Sequence, residues 1–328
     1  MKAIVQTEYG SADVLTLAEV EPPAVTDTGV LVRVYGASAH AGDWHLMRGT
    51  PFLVRFIYGG LRKPQIKILG CDVAGRVEAV GPAVTQFKPG DEVFGDLSES
   101  GFGAFAEYVC APETALVLKP TNLTFEQAAT VPVSALTALQ GLRDVGQLQA
   151  GQRVWVNGAA GGVGSFAVQI AKALGAEATG VCSLSKVDMV RELGADHVMD
   201  YAQADAVLAA SPKEPLYDLI LDTAAYRAAA DYCPALAPTG TYVMVGGSMT
   251  RLFQAMLLGP FISKLYRRRV ACLMVKPNQA DLTRLKEFIE AGKISPYVDR
   301  TYPLSEVPAA IRALEQRQVR GKVAISLG

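Results

Sequence analysis

The pattern of apolar and polar positions changes twice along the chain. Residues 1 to about 122 carry short apolar runs, for example at 30–35, 74–80 and 105–109, separated by turn residues such as those at 88–91. Runs of this length with Gly and Pro between them are typical of short strands joined by tight turns. The pattern predicts a small β-barrel for this part of the chain.

A different pattern begins at Thr124. Thr124 and Gln127 have the spacing of a capping box, which predicts the start of an Ala-rich helix. Short apolar strands then alternate with helical stretches, which predicts parallel βαβ units and an α/β fold with a doubly wound sheet. The predicted elements are strand 153–157, helix 162–174, strand 178–182, helix 186–193, and strands 197–200, 216–222 and 240–247.

The tail of the chain returns to a mixed pattern. Its predicted elements are helix 279–291, strand 298–302, helix 306–316 and strand 323–327. We expect this tail to rejoin the first domain. Residues 1–123 and 266–328 would then form one discontinuous domain around a second domain at 124–265.

A glycine-rich segment follows the first strand of the doubly wound part. Residues 157–164 read NGAAGGVG and open an apolar helix. Glycines at such a turn let backbone N–H groups approach a pyrophosphate at the positive end of the helix. An ordinary tight turn is the alternative, but the surrounding strands and helices favour dinucleotide binding. The candidate residues are Gly158, Ala160, Gly161, Gly162, Val163 and Gly164.

The end of the next strand bears on which dinucleotide binds. NAD-binding chains place Asp or Glu about 20 residues after the glycines, where the acid bonds the ribose hydroxyls. Residues 181–186 read VCSLSK, with no acid before Asp188. Hydroxyls and a cation suit a 2′-phosphate. Ser183 and Lys186, with Tyr201 after the following strand, therefore predict NADP(H) as the cofactor.

Composition excludes several classes of protein. The chain has 328 residues, of which 50% are hydrophobic, and a formal net charge of −1, which disfavours a nucleic acid as partner. The longest apolar run, 253–262, is too short to span a bilayer. Five cysteines without a C-x-x-C pair give no structural zinc ribbon and fit a reducing compartment. The first ten residues lack a signal-peptide core, so we expect a cytoplasmic protein.

Several motifs together resemble those of the medium-chain dehydrogenase/reductase superfamily, in its zinc-independent quinone oxidoreductase and enone reductase branch. They are GDW at 42–44, GCDVAG at 70–75, PGDEVF at 89–94, GAFAEY at 103–108, AATVP at 128–132 and the glycine-rich loop. The resemblance implies a GroES-like barrel for the discontinuous domain, a Rossmann NADP-binding domain at 124–265, and a homodimer. It also implies that Thr137, Gly246, Gly247 and the stretch 273–278 line the cofactor site.

The resemblance raises the question of a catalytic metal. Zinc-dependent relatives supply a Cys, a His and a later Cys, and the matching positions here hold His40, Cys71 with Asp72, and Val133. A catalytic zinc site needs three protein ligands and an open position, and Val133 is aliphatic. We therefore predict no metal, with a zinc-dependent alcohol dehydrogenase using His40, Cys71 and Asp72 as the alternative.

Without a metal, the hydride acceptor must itself be electron-poor. The resemblance implies a quinone or an α,β-unsaturated carbonyl compound, with NADPH as the hydride source. His40 and His45 are candidate proton donors because imidazole titrates near neutral pH, although either can be structural. We expect Asp43 to orient the loop or the cofactor. A low-turnover NADPH-binding sensor or scaffold is a further alternative.

Two apolar segments allow more than one interpretation. Aromatic residues near the early loop, including Trp44 and Tyr58, are either the wall of an acceptor pocket or part of the core. Residues 252–269 end in Tyr266-Arg-Arg-Arg269 and could form a helix on a membrane surface. Because Gly259-Pro260 should interrupt a helix, we favour a lid or a dimer-interface segment.

Overall fold

The computed structural model describes residues 1–58, 60–210, 217–247 and 249–327. The strands of this part of the chain are β1 (Lys2–Val5), β2 (Thr16–Glu19), β3 (Gly29–Ala39), β4 (Asp72–Val80), β5 (Glu92–Asp96), β6 (Tyr108–Pro112), β7 (Leu116–Leu118), β8 (Arg153–Asn157), β9 (Glu177–Cys182), β10 (His197–Asp200), β11 (Tyr217–Asp222), β12 (Leu236–Met244), β13 (Arg269–Cys272), β14 (Val298–Pro303) and β15 (Lys322–Ser326).

The α-helices alternate with strands mainly in the middle of the chain. They are α1 (Ala41–Arg48), α2 (Leu53–Ile57), α3 (Phe125–Ala129), α4 (Pro132–Gln140), α5 (Gly162–Ala173), α6 (Val187–Glu192), α7 (Tyr201–Ala209), α8 (Ala229–Tyr232), α9 (Met249–Tyr266), α10 (Gln279–Glu290) and α11 (Val307–Glu315).

The chain divides into two units. The first comprises Met1–Val133, Pro277–Glu290 and the chain from Pro296 on, and the second comprises Ser134–Lys276 and Ala291–Ser295. The predicted boundaries at 124 and 266 differ from this division. Residues 124–133 belong to the first unit because α3 packs on β3, where the rings of Tyr35 and Phe125 stack at 4.9 Å. Residues 266–276 belong to the second because β13 pairs with β12.

The first unit is built on one seven-stranded sheet. Its strand order is β14-β15-β3-β4-β5-β7, with β6 also paired to β3. Neighbouring strands are antiparallel except β14 and β15, which are parallel. Apolar residues that alternate along β3 and β4, among them Val32, Val34, Val73 and Val77, are buried in one core. The short apolar runs from which the sequence predicts a β-barrel reflect this alternation of buried and outward-facing positions.

The second unit has a six-stranded, fully parallel sheet in the order β10-β9-β8-β11-β12-β13. The order reverses between β8 and β11, which is the point where open α/β sheets bind their ligands, at the carboxyl ends of the strands. Trp155, Ile220 and Tyr242 are buried in its core. The predicted fold class, a β-barrel domain with a doubly wound α/β domain, is confirmed.

Two local predictions need comment. The predicted interruption at Gly259-Pro260 is wrong, because α9 runs through both residues. Proline removes one helical hydrogen bond, and here Pro260 is exposed, so water can reach the carbonyl of Met256 that loses its partner. The strand predicted at 216–222 begins at Tyr217, and Leu216 lies outside the described residues. Among the described residues, no helix has the combination of length and hydropathy needed to span a bilayer.

Candidate active site

The glycine-rich loop joins β8 to α5 where the strand order reverses. Gly158 has a φ of 78°, and a Cβ at this position would lie 2.4 Å from Thr223 Oγ1. A Cβ on Gly164 would lie 2.1 Å from the carbonyl oxygen of Gly158. The packing of the loop itself therefore requires both glycines, one for the turn and one for the close approach of α5 to β8.

Gly161 has a different environment. Its backbone is extended, with φ −88° and ψ 176°, and a Cβ there would meet only the Gly158 carbonyl oxygen, at 3.3 Å. It is the exposed N-cap of α5, and its N-cap position has no side-chain capping bond. The N–H groups of the first turn of α5, at 162–164, have no carbonyl one turn earlier in the helix. Open space in front of a positive helix end fits the pyrophosphate of a dinucleotide.

A buried polar network behind the loop ties β8 to β11 and β12. Asn157 Nδ2 donates to Asp222 Oδ1 at 2.7 Å and to the Tyr232 hydroxyl at 3.0 Å. The Tyr242 hydroxyl donates to Asp222 Oδ2 at 2.7 Å, and two backbone N–H groups of the following turn donate to Oδ1. Burial raises the pKa of the Asp222 carboxyl, and these hydrogen bonds oppose the rise. The network fixes where the strands end and the ligand-binding loops begin.

Helix α4 reaches the same carboxyl edge of the parallel sheet. A Cβ on Gly141, just after α4, would lie 2.8 Å from Leu221 of β11 and 3.5 Å from Leu273 after β13. Thr137 precedes Gly141 by four residues and is buried. Residues four apart share a helix face. The structure therefore brings Thr137 to the edge that carries the glycine-rich loop.

The segments after β12 and β13 lie at this edge as well. Gly246 and Gly247 follow β12, and Gly247 has a φ of 111°. Gln140 Nε2 donates to the Lys276 carbonyl at 2.8 Å, and Gln140 Oε1 accepts the Lys276 N–H at 3.0 Å. This pair of bonds holds the predicted cofactor stretch that begins at Leu273 against the end of α4.

The proposed 2′-phosphate residues follow the carboxyl ends of β9 and β10, and β9 pairs with β8, which leads into the loop. Ser183 directly follows β9, and Lys186 ends a 3₁₀ turn three residues later. Cys182 of β9 is opposite Asp200 of β10, so Tyr201 lies at the same level of the sheet. The Asp200 carboxylate accepts the Gln203 N–H at 2.8 Å as the cap of α7. Asp200, the acidic residue at the end of the neighbouring strand β10, is thus engaged in capping α7.

In the first unit, His40 is the N-cap of α1. Its Nδ1 accepts the Gly42 N–H at 2.9 Å, so the neutral ring carries its proton on Nε2, which donates to Cys71 Sγ at 2.7 Å. Burial lowers the pKa of the imidazole to about 4; Lys322 lowers it further and Asp72 opposes the shift. At neutral pH His40 is uncharged, and both of its ring nitrogens are engaged.

Asp43 joins the start of α1 to the loop before β4. Its Oδ2 accepts the His40 N–H at 2.9 Å and its Oδ1 accepts the Gly70 N–H at 3.1 Å. The residue is completely buried. Burial raises the pKa of its carboxyl to about 7, against the effect of both N–H donors. Its contacts hold two backbone segments together.

His45 and Tyr58 are the more exposed polar side chains of this region. His45 stacks on Trp44 with 3.7 Å between ring centroids, and its Nδ1 lies 2.7 Å from the Thr50 carbonyl oxygen, to which it donates. Burial lowers the pKa of His45. Burial also raises the pKa of Tyr58, and the negative charges of Glu99 and Asp96 add to the rise. Tyr58 therefore keeps its proton at neutral pH.

A buried ion pair lies next to His40 and Cys71. Lys322 Nζ is 3.2 Å from Asp72 Oδ2, and Asp72 Oδ1 accepts the Val133 N–H at 2.8 Å. Asp96 is opposite Asp72 across β4 and β5, and burial, followed by the Asp72 charge, raises its pKa to about 6. Burial raises the pKa of the Cys71 thiol well above its usual value.

Comparisons with known proteins place this geometry in a family. Residues 26–121 match the model of the alcohol dehydrogenase GroES-like domain, and residues 193–325 match that of zinc-binding dehydrogenases. A trans-enoyl reductase from Aspergillus terreus is 33% identical over 318 residues, covering 91% of this chain and 86% of that protein. The chain belongs to the medium-chain dehydrogenase/reductase superfamily.

Two further comparisons agree with membership of this superfamily. A chloroplastic NADPH-dependent alkenal/one oxidoreductase from Arabidopsis thaliana is 32% identical, covering 99% of this chain and 79% of that protein. The solved structure of a quinone oxidoreductase from Coxiella burnetii has a TM-score of 0.86 and 28% identity, covering 100% of this chain and 99% of that one. This medium-chain dehydrogenase/reductase is an oxidoreductase of the quinone oxidoreductase branch, and its family binds a nicotinamide cofactor.

One of the matching family models describes zinc-binding dehydrogenases, which raises the question of zinc. The side chains around His40 do not fit that metal. His40 Nε2 carries a proton toward Cys71, and the Asp72 carboxylate is engaged by Lys322 and the Val133 N–H. The position of the third ligand is Val133 itself. Within the described ranges, no three His, Cys, Asp or Glu side chains are grouped as metal ligands. A catalytic zinc site needs three such ligands.

Sequence reasoning did not identify the buried polar groups that support the site. The network around Asp222 and the Lys322–Asp72 pair join residues that are 20 to 250 positions apart. One local signal was present for the pair, since Lys322 directly precedes the apolar run of β15 and is part of the same strand. Asp222 likewise ends an apolar strand at the edge where ligands bind.

Proposed function

We propose that this dehydrogenase/reductase uses NADPH to reduce quinones or α,β-unsaturated carbonyl compounds. The single observation that carries the proposal is the donor set around His40. Among the described residues this set has no third metal ligand, and both imidazole nitrogens of His40 are engaged. A saturated alcohol or ketone has to be polarised at its oxygen, which a zinc ion does when it acts as a Lewis acid, whereas a quinone or an enone is activated by its own conjugation. The names of the relatives from Aspergillus and Arabidopsis agree with this acceptor class.

The preference for NADPH is part of the same proposal. Ser183, Lys186 and Tyr201 would hold the 2′-phosphate, the N–H groups of 162–164 the pyrophosphate, and Thr137, Gly246 and Gly247 the nicotinamide side. No acid follows β9 directly, and Asp188 is 90% exposed and paired with Arg191. When bound, the nicotinamide supplies a hydride to the acceptor.

The proton that follows the hydride comes, in this proposal, from His45 or Tyr58 rather than from His40. His40 is uncharged at neutral pH with both nitrogens engaged, and Asp43 has no exposed surface. His45 is partly exposed, but its lowered pKa favours the neutral ring, whose one proton lies on Nδ1 toward the Thr50 carbonyl. Tyr58 retains its phenolic proton and is therefore the better donor of the two. Asp43 orients the α1 loop through the backbone of His40 and Gly70.

The test is cofactor oxidation with 1,4-benzoquinone, an alkenal and a simple ketone in parallel, using NADPH and then NADH. We expect turnover of the first two acceptors with NADPH and little with the ketone. His45→Gln and Tyr58→Phe, assayed with the alkenal, identify the proton donor by a loss of kcat. Tight NADPH binding without oxidation by any acceptor would instead indicate a sensor or scaffold protein.

A further inference from the structure

Helix α9 leaves a broad apolar face uncovered. Leu252 and Ala255 on one side pack into the core of the second unit, and Gly259 lies against Val270 of β13. The opposite side exposes large apolar residues, with Leu257 77% and Phe261 66% exposed. The exposed apolar residues of α9 are Phe253, Met256, Leu257, Leu258, Phe261 and Leu265. We call this set the α9 face.

The α9 face is continuous along the helix. Phe253, Leu257, Phe261 and Leu265 follow each other at intervals of four, which places them in one row about 18 Å long. Residues on either side of this row are exposed too, so the face covers more than half of the helix circumference. Monomeric proteins rarely leave such a contiguous apolar patch in water, and a patch of this kind marks an interaction site.

The charged residues of the chain segment that contains α9 all have one sign. Between Asp231 and Asp281 the chain has six Lys and Arg residues and no Asp or Glu, although its formal net charge is −1. Lys264 and Arg267, at the end of α9, are exposed. Arg268 donates to the carbonyls of Leu236 and Pro238, and Arg269 to that of Val145, so uncharged acceptors hold these two cations. The complementary surface is therefore anionic.

We infer that the α9 face docks this protein onto a bilayer that contains anionic lipid. The apolar row enters the interface between headgroups and acyl chains, and Lys264 and Arg267 meet the headgroup charge. The helix lies in the plane of the interface, since no described helix can cross a bilayer. This inference is independent of which acceptor the enzyme reduces.

A second copy of the chain is the less suitable occupant. A two-fold contact through α9 would bring each face against itself. The segment 232–280 of each copy carries six cations and no carboxylate, so neither copy offers an acidic partner from this segment to the cations of the other.

The experiment is flotation of the full-length protein with two kinds of vesicle. One kind contains phosphatidylcholine alone, and the other contains phosphatidylcholine with about 30% phosphatidylglycerol. We expect binding to the anionic vesicles that weakens as salt is added. The double variant Leu257→Asp/Phe261→Asp should reduce the partition coefficient at least about tenfold. Lys264→Glu/Arg267→Glu should reduce it at least about 25-fold, because each lost cation accounts for about fivefold.

Matched controls separate docking from loss of folding. Leu17→Asp places the same charge on another exposed apolar side chain, and Arg284→Glu reverses an exposed cation of α10; both should bind vesicles like the unaltered protein. All variants are checked by thermal unfolding and NADPH binding. Equal binding by the α9 variants, or no binding of the unaltered protein to anionic vesicles, overturns the inference. The inference is also overturned if light scattering shows that the unaltered protein is a dimer and that Leu257→Asp/Phe261→Asp is a monomer.

Discussion

At the scale of single residues, one backbone hydrogen bond limits what His40 can do. Because Gly42 donates to Nδ1, the neutral ring keeps its proton on Nε2, toward Cys71. This tautomer leaves no lone pair for a metal, and the pKa of about 4 leaves no positive charge at neutral pH. The sequence suggested His40 as a ligand or acid because it showed the residue type but not the partners of its nitrogens.

The low pKa of His40 predicts how stability depends on pH. The unfolded chain binds a proton at this site near pH 6.5 and the folded chain only near pH 4, so stability is lost as the pH falls through this window. Between pH 7.5 and 5.5 His40 should account for a loss of about 1 kcal/mol. Urea unfolding of the protein and of His40→Gln at both pH values measures the difference.

The unaltered protein and His40→Gln should differ in how much stability they lose between pH 7.5 and pH 5.5. His40→Gln should lose less stability than the unaltered protein on acidification, whatever its stability at pH 7.5. A parallel fall of both proteins would show that His40 is protonated in the folded state, which would remove the argument against its role as an acid.

Lys186 allows a prediction about the cofactor. If it binds the 2′-phosphate, Lys186→Ala should lower kcat/KM for NADPH by about 10- to 100-fold and leave the value for NADH nearly unchanged, because one charge-assisted contact is lost. Arg191→Ala, which removes a nearby exposed cation, is the control. An equal effect of Lys186→Ala on both cofactors would mean that the residue does not discriminate between them.

At the scale of elements, the strand–loop–helix unit around β8 and α5 separates two reasons for glycine. Gly158 and Gly164 are required by contacts within the protein, whereas Gly161 has an ordinary backbone and little nearby. The sequence predicted this unit well, since β8 matched and α5 ended within one residue of the structure. Both elements have strong local patterns, and the loop has a recognisable spacing.

Two substitutions in this loop should have opposite effects. Gly161→Asp supplies a favourable N-cap, so its free energy of unfolding should stay within about 1 kcal/mol of the unaltered protein or rise. Its carboxylate should nevertheless weaken NADPH binding at least about tenfold by repelling the pyrophosphate. Fluorescence titration of NADPH and urea unfolding give both values.

Gly164→Ala is the comparison, because its Cβ would lie 2.1 Å from the Gly158 carbonyl oxygen. This variant should lose stability as well as binding. Undiminished NADPH affinity in Gly161→Asp would contradict a phosphate site at this end of α5.

The polar network at the ends of β8, β11 and β12 leads to a stability prediction. Asp222→Ala removes the acceptor for Asn157, for Tyr242 and for two backbone N–H groups, all of them close to the loops. Loss of buried acceptors should lower the free energy of unfolding by about 3 kcal/mol. Asp188→Ala, at an exposed position, should change it by less than about 0.5 kcal/mol. Equal effects of the two changes would show that the network does not stabilise the fold.

At the scale of the whole molecule, the order of elements could be predicted and the long-range pairs could not. Strand and helix periodicity is local, so the parallel sheet and the barrel were both recognisable in the sequence. The Lys322–Asp72 pair depends on β15 and β4 lying on either side of β3, an arrangement that no local pattern records. For helix α9 the local pattern was misleading. Pro260 predicts a break in the helix, but the helix continues through this exposed residue because water can replace the hydrogen bond that proline removes.

The proposed function assigns a different part to each unit. The second unit would supply a helix end, hydroxyls and a cation for the cofactor, and the first unit contains the partly exposed His45 and Tyr58 and a buried set of charges. The central claim is that these groups serve hydride transfer to a conjugated acceptor without a metal.

The most direct test follows the hydride itself. The enzyme is given an alkenal and NADPH that carries deuterium at both C4 positions, and the product is analysed by mass spectrometry. The account predicts a saturated aldehyde with a single deuterium on its β-carbon. Deuterium on the carbonyl carbon of an allylic alcohol, or reduction of a simple ketone at a comparable rate, would contradict it.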